Sequence, residues 1–200
     1  MLDILHAAAE DRFPPVDGAV TVLPPLPGGW GCSVAFTGHA VVATGRSAAD
    51  VAAQAPDGFG GSMAPDFLRW LAGPGGFIGV LDVMLVARGT GRSTLPRLTD
   101  ADAHPRVQYA REVRTDVTVY GDERGLITLA SGLGGRREIS VEAAETNRGW
   151  GRALIAEGVG LVPEGELVFA AVSPGNARSL RTFLGLGFAP IGSEVLIRPA

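Results

Sequence analysis

Apolar and polar positions divide the chain into short alternating runs, read as strands, and stretches of three-to-four-residue period, read as helices. Residues 2–9 read as a short helix, after which Pro14, Pro15, Pro24, Pro25 and Pro27 keep the chain extended or turning around a strand over 19–23. Residues 32–36 and 40–44 read as a hairpin across Thr37, Gly38 and His39. Ser47 is placed to cap a helix over 48–54, and Pro65 to open another through Phe67, Leu68, Trp70 and Leu71. Residues 77–87 form an apolar run rich in Ile, Val and Leu, interrupted only by Asp82, and its length predicts one buried strand. A helical pattern covers 100–114, with Val107, Tyr109, Ala110 and Val113 on one stripe.

Residues 116–120, 126–130 and 137–143 alternate as three antiparallel strands separated by glycine turns. A helix over 149–160, an apolar strand over 167–172, a helix over 176–186 and a last strand over 194–197 follow. A meander followed by βαβ crossovers predicts an α/β fold, a mixed sheet with helices on both faces, preceded by a β-leaning lobe. Glycine density rises near 73–76, so the lobe is expected over 1–76 and the main domain over 77–200.

Composition changes the picture mainly by exclusion. Two hundred residues that are 46% hydrophobic suffice for a buried core. A net charge of -4 gives no basic field, so neither nucleic acid nor an anionic membrane is an expected partner. The single Cys32 excludes an internal disulfide and a multi-cysteine zinc site, and no His, Asp or Glu spacing suggests another metal site. Without a basic-then-apolar start or a long apolar span, the cytoplasm is the default location.

The chemistry concentrates after the third meander strand. Gly149 and Gly151 remove side chains where a strand turns into a helix, leaving backbone N–H groups at the positive helix end, flanked by Arg148 and Arg152. Such a start cradles a phosphate-like anion, or is plain turn chemistry. Trp150 either covers a ligand or packs on the preceding strand. A dinucleotide site would need its glycine fingerprint after an early parallel strand, which the meander argues against.

Arg148, Gly151 and Ala153 fit the pattern Gln or Arg, two residues, Gly, one residue, Gly or Ala. Asn176, Ser179, Phe183, Gly187 and Phe188 fit a second one: Asn, a small residue three later, an aromatic seven later, then Gly-Phe. In this order and separation, residues 80–200 resemble the GCN5-related N-acetyltransferases. The resemblance implies a twisted sheet whose two central parallel strands, here 138–143 and 167–172, splay apart to admit coenzyme A. It implies acetyl-CoA as donor, its pyrophosphate on Arg148, Gly149, Trp150, Gly151, Arg152 and Ala153, and its pantetheine against the backbone of Val141 to Ala143. Ser179 and Phe183 would line the cofactor, and Asn176 would contact it or act simply as a helix N-cap. The implied reaction is acetyl transfer to an amine of a small molecule or protein by direct attack in a ternary complex. The first lobe would complete the acceptor cleft or contribute to a homodimer.

Acetyl transfer to an amine needs a proton acceptor, an oxyanion donor and a proton for the thiolate. Glu138, Ser140 and Glu142 share one strand face, Ile139, Val141 and Ala143 the other. Glu142 is the first candidate base, acting through water, or is a solvated carboxylate. Glu138, about 13 Å along the strand, fits substrate binding or a relayed base. The family often has tyrosine as proton donor where Phe183 stands, and phenylalanine cannot donate. Either the thiolate leaves unaided, or Tyr120 approaches as donor, or the protein is a noncatalytic CoA-binding relative. Tyr120 reads first as a cross-strand aromatic. His39 and His104 read as a turn and a helix-surface residue, Cys32 as buried.

Overall fold

The structure, a computed structural model, describes all of residues 1–200. The chain runs α1 (Leu2–Ala9), β1 (Val20–Leu23), β2 (Gly31–Phe36), β3 (His39–Ala43), α2 (Ala48–Ala53), α3 (Pro65–Ala72) and β4 (Phe77–Ile78). It continues through β5 (Asp82–Arg88), α4 (Pro105–Val113), β6 (Thr115–Asp122), β7 (Gly125–Ser131), β8 (Arg137–Ala143), α5 (Trp150–Gly160), β9 (Leu167–Val172), α6 (Ala177–Leu184) and β10 (Ala189–Arg198). This is a mixed α/β protein of ten strands and six helices. No helix is long and apolar enough to cross a membrane.

Two compact units divide the chain. One holds Asp3–Met84 with Ile191–Ala200, the other Leu85–Pro190. The division falls at 84/85 rather than 76/77, and the C-terminal strand joins the N-terminal unit instead of closing the second.

In the first unit β1 runs parallel to β3, β3 antiparallel to β2, and β2 antiparallel to β10, which also pairs with β4. Phe67, Leu68, Leu71 and Ala72 of α3 bury against Val42, Val195 and Ile197, as helical spacing puts them on one stripe. Ser47 caps α2 by accepting the Asp50 N–H. The apolar run expected as one strand breaks in two. Phe77 and Ile78 pair with β10, Gly79 donates its N–H to the Leu196 carbonyl, and Val80 is 61% exposed before β5 begins. His39, expected in a turn, starts β3 instead. Its buried ring bridges Asp17 Oδ1 and Thr21 Oγ1, both at 2.9 Å. The Ala19 N–H and the His39 ring lower the Asp17 pKa.

In the second unit the strand order is β5-β9-β8-β7-β6. The meander is as expected, with a tighter β6–β7 turn in which Asp122 pairs directly with Gly125. Helices cover both faces. Ile127 and Ile139 lie so close beneath α5 that a Cβ at Gly158 would stand 3.0 Å from the Ile139 side chain. On the opposite face Val107 of α4 packs with Val119 and Leu126. Helix α4 is shorter than its pattern because Pro105 fixes the first helical position and disfavours helix in the residue before it. His104 becomes its N-cap, the Nδ1 accepting the Arg106 N–H at 3.2 Å.

Candidate functional site

Strand β8 pairs with β7 along its whole length, from Arg137 opposite Ser131 to Ala143 opposite Gly125. With the parallel β9 it shares a single register pair, Glu138 with Phe169. These residues lie near the starts of both strands, so the C-terminal parts diverge, as the resemblance implies. The edge of β8 that turns toward β9 therefore has no ladder partner over Val141, Glu142 and Ala143, all half-buried. Backbone N–H and C=O groups removed from water take partners almost without exception. An open, partly buried edge of this kind suits an extended ligand carrying amides of its own.

Beyond Ala143 the chain turns into α5. Asn147 and Gly149 adopt left-handed φ values of 66° and 77°, which the small residues tolerate. No side chain caps α5, and the Ala153 N–H bonds the Gly149 carbonyl at 3.1 Å. The amides of Trp150, Gly151 and Arg152 precede that bond at the positive end of the helix. The two glycines then separate. Gly149 is required by its φ. Gly151 is not, since its φ lies outside the left-handed region and a Cβ there meets nothing within 4 Å. A glycine inside a helix costs about 1 kcal/mol relative to alanine, and nothing within the chain requires this one.

The two arginines are arranged differently. Arg148 is exposed, pairs with Glu145 at 2.6 Å and lies 5.5 Å from the Trp150 ring centroid. Arg152 donates both Nη groups to the Gly185 carbonyl at 3.3 Å, linking the start of α5 to the end of α6. At the start of α6 Asn176 is the N-cap, its Oδ1 accepting the Ser179 N–H at 3.2 Å. The cap leaves the carboxamide NH2 as a donor. Ser179 is half-buried. Phe183 is 6% exposed and packs edge-on to Phe188, centroids 4.9 Å apart, so a packing role accounts for it fully.

The faces of β8 alternate as expected. Ile139 points at α5, while Glu138, Ser140 and Glu142 point toward the α4 side, where Ser140 Oγ bonds Thr128 Oγ1 at 2.7 Å. Glu138 is not a candidate base. It is 3% exposed, receives Nε and Nη2 of Arg136 at 2.8 and 2.7 Å, and pairs through its other oxygen with Arg114. Burial alone would raise its pKa, but the Arg136 and Arg114 guanidiniums outweigh burial and hold it at about 2. A carboxylate so strongly acidic and enclosed neither takes a proton near neutral pH nor reaches a substrate. Arg136 also stands 5.5 Å from the Phe169 ring centroid, so the cluster braces the point where β8 and β9 last meet.

This cluster carries an acid prediction. Its folded pKa lies below the usual 4.5, so its contribution is complete above that value and is lost as pH falls toward about 2. Urea titrations should find the wild type losing on the order of 2 kcal/mol more than Glu138→Gln between pH 5 and 3. Parallel losses in the two proteins would remove the cluster from the acid response.

Glu142 is the carboxylate of this face that stays open to solvent. Its side chain is 44% exposed, Oε2 accepts Arg106 Nε–H at 3.0 Å, and Oε1 lies 3.8 Å from His104 Nε2. Tyr120 is not beside it. Tyr120 pairs with Ile127 in β6, on the face that α5 covers, with β7 between it and β8. Two strand spacings, about 10 Å, and the opposite sheet face separate it from Glu142, so it is a cross-strand aromatic and not the proton donor. Arg106 and His104 are the site residues that sequence reasoning missed. Their signal was Pro105, which fixes the start of α4 and puts both beside β8.

No family model and no curated protein matches the sequence. Among solved structures the chain is similar to a protein described as an acetyltransferase of the GNAT family from Novosphingobium aromaticivorans. The match has a TM-score of 0.44 and 17% identity, over 64% of this chain and 69% of that one.

Proposed function

We propose that the second unit is an acyl-CoA-dependent acyltransferase of the GCN5-related type, moving acetyl from acetyl-CoA to an amine. The observation that carries this reading is the parting of β8 from β9 after the Glu138–Phe169 pair, directly before a helix start whose Gly151 has no purpose within the chain. A ligand with an extended amide-bearing arm and a diphosphate fits both features at once.

In this reading the free edge of Val141 to Ala143 takes the arm. The amides of Gly149, Trp150, Gly151, Arg152 and Ala153 take the diphosphate, with Arg148 and Arg152 adding charge-assisted bonds. The Asn176 NH2 contacts the arm, and Ser179 and Phe183 line the helix face beside it. The bound donor supplies an activated thioester. Glu142 receives the proton that the attacking amine sheds, directly or through water. Phe183, packed on Phe188, supplies no proton to sulfur, and a thiol pKa near 8.5 lets it leave as the thiolate.

Phe183 also favours a second reading, a CoA-binding relative without turnover. Calorimetry with acetyl-CoA and release of free CoA across a broad amine panel separate the two. We expect binding and turnover, with Glu142→Gln lowering kcat about 100-fold while donor affinity holds. Binding without release in any mixture, indifferent to Glu142→Gln, establishes the second reading instead.

A further inference from the structure

We propose that the acceptor is a primary amine bearing a carboxylate on the same or the adjacent carbon, an amino-acid-like zwitterion. The proposal rests on the acyl-transfer reading above and concerns the other side of the same site.

The reason lies in which donors around Glu142 are spent. Arg106, 37% exposed in its side chain, uses only its Nε–H, given to Glu142 Oε2 at 3.0 Å. A guanidinium carries five N–H donors in a rigid fork, so four remain on the two Nη groups, in the geometry that matches a carboxylate. His104 accepts the Arg106 backbone N–H on Nδ1, which places the proton of its neutral ring on Nε2. That Nε2 stands 3.8 Å from Glu142 Oε1, beyond hydrogen-bond distance, so Oε1 keeps its acceptor capacity. The remaining polar groups on this face of β8 are satisfied, since Ser140 and Thr128 bond each other and Glu138 is enclosed by Arg136 and Arg114.

What remains is one oxygen that accepts from an amine beside one cationic fork that donates to an anion. The 3.0 Å contact holding Glu142 and Arg106 together keeps these two positions a short reach apart. An amine with a neighbouring carboxylate satisfies both. A polyamine or lysine side chain satisfies Glu142 but brings further positive charge to Arg106. An apolar amine covers the Arg106 fork and leaves its donors without a partner. In the transfer the ammonium first gives one proton to solvent, the freed lone pair forms the new N–C bond, the C–S electron pair leaves on sulfur, and the second amine proton goes to Glu142.

The test uses the full chain, acetyl-CoA and matched acceptors: amino acids, their carboxamides, and the same amines without the carboxyl group. We expect kcat/KM in the wild type to be at least about 100-fold higher for the amino acids than for either partner. Arg106→Met should collapse that ratio toward one, chiefly through KM, and Arg106→Lys should retain part of it. Equal or better use of amines lacking the carboxylate overturns the proposal, as does a ratio that survives Arg106→Met. Acetyl-CoA binding without turnover of any amino acid overturns it too. A failure to bind acetyl-CoA at all overturns the acyl-transfer reading beneath it, so the two failures are distinguishable. The wild-type ratio requires no variant and stands whether or not Arg106→Met folds.

Discussion

Gly151→Glu is expected to abolish acetyl-CoA binding while leaving the protein folded and slightly more stable. The two signs come from different parts of the structure. Within the protein the new side chain meets nothing, because a Cβ at 151 has no atom within 4 Å. Replacing glycine inside a helix recovers about 1 kcal/mol of backbone entropy, and a carboxylate in the first turn is favoured by the helix dipole. Toward a ligand, the same side chain puts bulk and negative charge among the Trp150, Gly151 and Arg152 amides, where a diphosphate would approach. We expect no measurable binding heat, a loss of at least about 1000-fold in affinity, with a melting temperature equal to or above wild type. Gly151→Ala should grade the effect, stabilising by up to 1 kcal/mol and weakening binding about tenfold. Unchanged affinity in Gly151→Glu would return the helix start to turn chemistry and remove the donor site.

Glu138→Ala is expected to have the largest effect on stability. Removing the carboxylate takes away the anion that Arg136, with no exposure, and Arg114, with 12%, both pair with, and breaking a buried ion pair from one side costs about 3–5 kcal/mol. Glu138→Gln keeps the volume and loses the charge, so it should recover little. Arg136→Met on the Glu138→Ala background should recover more, because it removes one buried charge and leaves an apolar chain against Phe169. Urea unfolding measures all three, and a Glu138→Ala loss below about 1 kcal/mol would contradict the cluster's role. The cluster braces the last β8–β9 pair, so donor affinity should fall in the same variants. Glu142→Gln, four residues beyond the last pair and on the exposed part of the same face, should leave stability within about 0.5 kcal/mol.

Most elements were legible because their signals are local. Period, capping residue and proline position act within one turn or one strand, and Ser47 at α2, Pro65 at α3 and Asn176 at α6 stand where those rules put them. Where the structure departs from the local pattern, a neighbouring rule prevails. Pro105 outranked the apolar stripe of 100–114, and Gly79 helped to divide the apolar run that β4 and β5 now share. The roles of Glu138 and Glu142 could not be separated in this way. Both are glutamates on one face of one strand, and alternation assigns them identical surroundings.

Sequence by itself determined the order and type of the elements, the alternation of β8, and the anion-ready start of α5 with glycines at 149 and 151. These follow from backbone sterics and side-chain spacing over a few residues. Tertiary structure alone decided that β5 lies beside β9, that β8 leaves β9 after one pair, and that Gly151 answers to nothing inside the chain. It also decided which carboxylate does what. Arg114, 24 residues before Glu138 in the chain, encloses one carboxylate, and Arg106, 36 residues before Glu142, leaves the other open. The physical reason is that burial and charge pairing are sums over distant segments brought together, and no short-range pattern in a chain encodes how much water each carboxylate keeps.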